Sequence, residues 1–119
     1  MLIRQQQMDK LAAAYQEIFL KRAVAHLRTN YPEKTATLTE AALAEEILYG
    51  IERAKVYDID TQRDVTKYLN LMFEFGRNFD IDPNCGWAHA ILVDSRPRKM
   101  ERLRDAGLAV LIGGADGKC

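Results

Sequence analysis

Residues Asp64 to Trp87 read DVTKYLNLMFEFGRNFDIDPNCGW, and this stretch decides the fold. It holds three of the four Phe residues, the only Trp, an Asp-x-Asp-Pro turn and a Gly inside an apolar pattern. Aromatic side chains bury the most area per residue, so their density marks the centre of a small core. Val65, Tyr68, Leu69, Met72, Phe75 or Gly76, and Phe79 recur at three-four spacing, which predicts a helix capped by Asp60 or Thr61 and running to Phe79. Leu71 and Phe73 fall outside the narrow stripe. A helix apolar over more than half its circumference is a central one, touched on several sides.

Downstream, Asp80-Ile81-Asp82-Pro83 breaks that helix. Asp82 caps a short one opened by Pro83 or Asn84 and carried through Trp87, Ala90, Ile91 and Leu92. Ser95 caps a last helix with Pro97 in its first turn and Met100, Leu103 and Val110 facing inward. Gly113, Gly114 and Gly117 make a flexible tail over 113–119.

Upstream, Met8, Leu11, Tyr15, Ile18, the stem of Arg22 and Ala25 give a first helix a dry face, widened by Phe19, Val24 and Leu27. No Gly or Pro interrupts it before Asn30, Tyr31 and Pro32, so it is read as the longest element. The loop YPEKTAT leads to Thr37 or Thr39 as the cap of a second helix, with Glu40 in its first turn. Leu43, Ile47, Ile51 and Ala54 form its dry stripe, and Ala42 and Gly50 are small enough for a neighbouring helix to approach closely. Val56, Tyr57 and Ile59 make the connector. The expected fold is all-α: a single compact bundle of about five helices over 1–112, with a long first helix and a flexible Gly-containing tail.

A chain of 119 residues has room for one core but not for a separate substrate domain. Charged residues are 29% and hydrophobic ones 48%, which excludes wholesale disorder. Seventeen basic and seventeen acidic residues cancel, leaving no global field for nucleic acid or an anionic membrane. Two cysteines, Cys85 in a turn and Cys119 at the end, make no disulfide framework; Cys119 is expected as a terminal free thiol and Cys85 as a small turn residue. No stretch approaches the roughly 20 apolar residues of a membrane span, and the opening residues lack a signal-peptide pattern, so a cytoplasmic protein is expected.

Asp80 and Asp82, with Glu74 before them and His89 after, are the only carboxylates and imidazole gathered near the aromatics. Acid-base or metal chemistry needs such groups within bonding reach of one another. The spacing matches neither a calcium loop nor a zinc site, whereas capping accounts for Asp80, Asp82 and Pro83 together and is preferred. Trp87 is a candidate partner anchor, with Phe79, Phe73 and Arg77 beside it, although a lone Trp in a small domain is more often core. His26 is read as a partner for the C-terminal dipole of the first helix. Arg96, Arg98, Lys99, Arg102 and Arg104 form a basic cluster, but Asp94, Glu101 and Asp105 interleave with them as on a solvated, salt-bridged face. No cofactor or metal is expected.

Gly50-Ile51, Arg63-Asp64-Val65, Phe75-Gly76-Arg77, Phe79-Asp80, Asp82-Pro83, Trp87-Ala88 and Ile91-Leu92 together resemble a family of small, uncharacterised bacterial helical proteins. Their genes lie beside those for the type VI secretion spike, its PAAR-like tip and toxic effectors. The resemblance covers the middle third to half of the chain and carries over no catalytic residue. It implies a non-catalytic protein-binding module, an adaptor or chaperone that holds an effector, spike or PAAR-like tip protein before loading. Three alternatives stand beside it. An immunity protein would neutralise a cognate toxin, usually through a strongly charged patch. A small hydrolase or metal-dependent enzyme would use Asp80, Asp82 and His89. A structural subunit would form homo-oligomers through the first helix.

Overall fold

The structure, a computed structural model, describes residues 17–113. Their regular structure is helical throughout, with no strand among the described residues. None of the described helices is long and apolar enough to cross a membrane. The chain divides into two compact units between Leu48 and Tyr49, where the sequence is read as one domain over 1–112. That boundary falls inside a continuous helix.

In the first unit, α1 is described over residues 17–30, and the greater part of the expected long helix lies outside the described residues. Its buried positions are Phe19, Ala23 and Leu27, while Ile18, Arg22 and Ala25 of the expected stripe are exposed. The two faces differ by about one helical step, and Phe19 with Leu27 offers more apolar area than Arg22 with Ala25. The loop expected after Tyr31 contains a one-turn helix, α2 (Pro32–Thr35), with Pro32 in its first turn. Arg28 fastens this corner by donating from Nη1 to the Thr35 carbonyl and from Nη2 to the Leu38 carbonyl, both at 3.0 Å. Thr39 then precedes α3 (Glu40–Val56), and its Oγ1 accepts the Ala42 N–H at 3.0 Å.

The second unit holds the end of α3, then α4 (Gln62–Phe75), a 3₁₀ turn (Pro83–Cys85), α5 (Gly86–Leu92) and α6 (Lys99–Gly113). Thr61 accepts the Asp64 N–H and caps α4. Both neighbours approach α4 through glycines. A Cβ on Gly50 would lie 2.5 Å from Leu69 Cδ2, and one on Gly107 would lie 3.2 Å from Leu71 Cδ2 and 3.3 Å from the Phe75 ring. The central helix is thus flanked by α3 and by α6, and α6 also packs on α5.

Three expectations are corrected here. The central helix ends at Phe75 rather than Phe79, because Gly76 adopts φ 120° and turns the chain while its N–H still bonds the Met72 carbonyl. Ser95 does not cap the last helix. Asp94 accepts the Arg96 N–H at 2.9 Å and so holds a separate turn, Pro97 lies ahead of the helix, and Arg98 at φ 63° leads into Lys99. Gly113, assigned to the tail, is the last residue of α6, and the rest of that tail lies outside the described residues.

Replacing Gly76 with Ala should lower the unfolding free energy by about 1–3 kcal/mol through backbone strain alone, since no atom lies near enough to clash. Gly86→Ala, at φ −53° with equally open surroundings, should be neutral or slightly stabilising. Urea denaturation of the two variants checks this, and equal effects would refute the assignment of strain to Gly76.

Candidate functional site

The turn created by Gly76 returns Phe79 and Asp80 to the interior. Phe79 is 1% exposed with its ring 5.1 Å from that of Tyr68, so it packs the core and is removed from the partner-facing residues. Asp80, fully buried, is held by α3. Its Oδ2 accepts from Arg53 Nε at 2.8 Å, from Arg53 Nη2 at 2.5 Å and from Tyr57 Oη at 2.9 Å. Arg53 and Tyr57 lie four residues apart on one side of α3 and its last turn, which lets them meet a single carboxylate. Sequence reading had singled out Asp80 but neither of these partners. The signal available was the Arg-Tyr spacing at a helix end.

The carboxylate shapes the protonation of its neighbours. Its hydrogen bond to Arg53 holds that guanidinium above its ordinary value. Burial, with the hydrogen bond to Asp80 next, raises Tyr57. Tyr68 is raised far more, by burial and then by the charge of Asp80. Tyr68 Oη and Asp80 Oδ1 are both buried with no hydrogen-bond partner.

The remaining candidates for chemistry are held apart. Asp82 accepts the Asn84 N–H at 2.9 Å and caps the 3₁₀ turn. The ring of His89 donates from Nδ1 to the backbone carbonyl of Asp80 at 3.1 Å, not to its carboxylate. Glu74 is half-buried near the end of α4. Among the described residues no three His, Cys, Asp or Glu side chains are grouped to hold a metal ion. Cys85, read as a small turn residue outside any disulfide framework, is buried and disulfide-bonded. Cys119 lies outside the described residues.

Within the second unit a cleft of about 1180 Å³ opens where the end of α3, the start of α4, the end of α5 and the start of α6 meet. Its lining combines apolar side chains that stay exposed, Val56 at 61%, Ile81 at 56% and Val93 at 60%, with five cations, Arg53, Arg63, Arg96, Arg98 and Lys99. Asp58, Asp64 and Glu101 also line it. Several of these charges have fixed roles. Arg53 serves Asp80, Arg96 pairs with Asp94 at 2.6 Å and Glu101 pairs with Lys67 at 3.4 Å. Lys99 donates to the Tyr57 carbonyl at 2.8 Å. Asp94 is lowered by its hydrogen bonds from the Arg96 side chain and N–H.

The basic cluster read as a solvated face is therefore divided. Arg96, Arg98 and Lys99 border the cleft, while Arg102 reaches back to the carbonyls of Arg96 and Pro97 and Arg104 pairs with Asp105. None of Trp87, Phe79, Phe73 or Arg77 lines the cleft. Trp87 is half-buried with its ring edge-on to Phe75 at 5.2 Å, Phe73 is half-buried, and the Arg77 guanidinium lies 4.0 Å over the Tyr49 ring. Val56, Ile81 and Val93 were missed as surface residues. Val56 lies off the dry stripe of α3, and Ile81 and Val93 lie in the segments that follow α4 and α5, where no periodicity marks an apolar residue. Compared with protein-family models, with curated proteins and with solved structures, the chain matches none.

Asp80→Ala should cost about 3 kcal/mol, because it leaves the Arg53 guanidinium and Tyr57 hydroxyl without their acceptor. Adding Arg53→Ala should cost little more, giving a coupling of about 2 kcal/mol in a urea double-mutant cycle. Additive losses would show that the pair does not link the two elements.

Tyr57 and Tyr68 hold their protons more tightly folded than unfolded, so the stability they contribute is complete below the ordinary tyrosine value of 10.0 and is lost as pH rises above it. Tyr68→Phe should be neutral or stabilising near neutral pH, since it deletes an unpartnered buried hydroxyl, and it should reduce the alkaline loss. Melting temperature measured against pH reads both effects, and an unchanged alkaline limb would contradict the assignment.

Proposed function

We propose that this chain is a non-catalytic protein-binding module, an adaptor or chaperone for an effector, spike or PAAR-like tip protein of a type VI secretion apparatus. The observation that carries the binding role is the convergence of Val56, Ile81 and Val93 on one cleft. They come from α3, from the turn after α4 and from the segment after α5. Apolar side chains exposed singly are ordinary, but three brought together from separate elements in a concave, charge-rimmed surface have the makeup of a binding site.

The secretion context rests on the resemblance carried by Arg63-Asp64-Val65, Phe75-Gly76-Arg77 and the segments around them. Arg63 and Asp64 of that pattern line the cleft. An enzyme built on Asp80, Asp82 and His89 is the weaker reading. The first two carboxylates bind Arg53 and a backbone N–H, and the imidazole is fixed to a carbonyl.

Val93→Asp tests the reading. At an exposed position it should change stability by no more than about 0.5 kcal/mol. Affinity capture from the native cells with the unaltered chain should recover a spike, tip or effector protein, and the variant should lose it. Capture that survives Val93→Asp would remove the cleft from the argument, and recovery of no such protein would overturn the adaptor role.

A further inference from the structure

The cleft's charge identifies its occupant more narrowly than its apolar residues do. Arg63 and Arg98 line it, both are exposed, and no hydrogen bond or ion pair holds either side chain among the described residues. Lys99 adds a third positive charge whose acceptor among the described residues is a neutral carbonyl. Against these stand Asp58 and Asp64, while the third lining carboxylate, Glu101, pairs with Lys67 at 3.4 Å, is held by its own N–H and also feels the charge of Arg63. The first turns of α4 and α6 both border the cleft, and the N-terminal end of each helix dipole adds partial positive charge. Arg98 takes a left-handed backbone, φ 63°, where a non-glycine residue is uncommon. A cation is thereby placed in the lining of the cleft by the turn that precedes α6.

We infer that the cleft binds an acidic, amphipathic peptide segment of a protein partner. Its carboxylates meet Arg63 and Arg98, and its apolar side chains cover Val56, Ile81 and Val93. This deepens the protein-binding reading and rests on it. The guanidinium fork suits carboxylates in paired hydrogen bonds. The three exposed aliphatic residues argue for a peptide over a nucleic acid strand, whose bases stack on aromatic platforms. The lining contains two aromatic rings, Tyr57, whose side chain is buried against Asp80, and His89, whose ring is bonded to the Asp80 carbonyl, and no Phe or Trp.

The test is an NMR titration of the isotopically labelled full chain with two probes. One is a short peptide of alternating leucine and glutamate pairs, and the other is the same peptide with lysine in place of glutamate. The acidic probe should shift the amides of Arg63, Ile81, Val93 and Arg98, and the lysine probe should not. Raising the salt from about 0.05 to 0.5 M should weaken the acidic probe's binding several-fold.

The double variant Arg63→Glu with Arg98→Asn should weaken it at least about tenfold. Asparagine tolerates the left-handed backbone, so the fold survives at that position, and unchanged melting temperature confirms it. Equal binding of both probes, no binding of the acidic probe, shifts confined to another surface, or tighter binding of a single-stranded RNA oligonucleotide would each overturn the inference. Its failure is separable from that of the function. Should Val93→Asp abolish partner capture while the double arginine variant retains it, the protein-binding role stands and the acidic occupant falls.

Discussion

The buried Asp80 carboxylate is the constraint on which the second unit depends. It lies in a turn, not in a helix, and the turn's own backbone bonds, from Phe79 to Gly76 and from Ile81 and Asp82 to Asn78, set its local shape without fixing it to α3. Arg53 and Tyr57 supply that hold from α3. Tyr57 extends it, because the backbone carbonyl of this residue accepts from Lys99 at the start of α6. One residue therefore joins the end of α3 to the turn through its side chain and to α6 through its main chain. The His89 ring adds α5 to the same assembly by bonding the Asp80 carbonyl.

An ion pair with a buried member is a weak source of net stability, and apolar replacements are often as stable; here Asp80 is fully buried and Arg53 partly exposed. What this one supplies is direction. With Asp80 turned inward, Phe79 before it packs against Tyr68 and Ile81 after it stays exposed in the cleft. The arrangement has a cost, since Asp80 Oδ1 and Tyr68 Oη are buried without partners. Two unmatched polar atoms beside a charged pair are consistent with selection for the geometry of the turn more than for its stability.

Much of the fold was legible because it follows from periodicity and from local chemistry. Leu43, Ile47, Ile51 and Ala54 are buried as their spacing requires, and Thr39, Thr61 and Asp82 cap through side-chain oxygens placed next to the first turn. The errors lie where a local signal competed with a longer-range one. Apolar spacing carried the central helix on to Phe79, and the backbone freedom of Gly76 ended it four residues earlier. Ser95 has the chemistry of a cap, but Asp94 formed the turn first. The site was less legible than the fold. Asp80 is visible in sequence as a carboxylate near aromatics, yet its acceptor role depends on residues 23 and 27 positions away.

The cleft illustrates the same limit from the other side. Val56, Ile81 and Val93 each lie exposed outside the dry stripe of a helix, and a single exposed apolar residue is normal on any protein surface. Their meaning appears only when three elements bring them together. Arg63 and Arg98 are likewise unremarkable in a chain whose charges sum to zero. Net charge is a property of the whole surface, whereas recognition depends on the few charges left uncompensated at a concave site. The Arg53–Asp80–Tyr57 cluster uses three polar side chains to hold the cleft's walls, and the cations with no ion pair among the described residues, Arg63, Arg98 and Lys99, line it. Structure and recognition thus divide the polar residues of this unit between them, with the buried ones setting the shape and the exposed ones setting the sign of what fits.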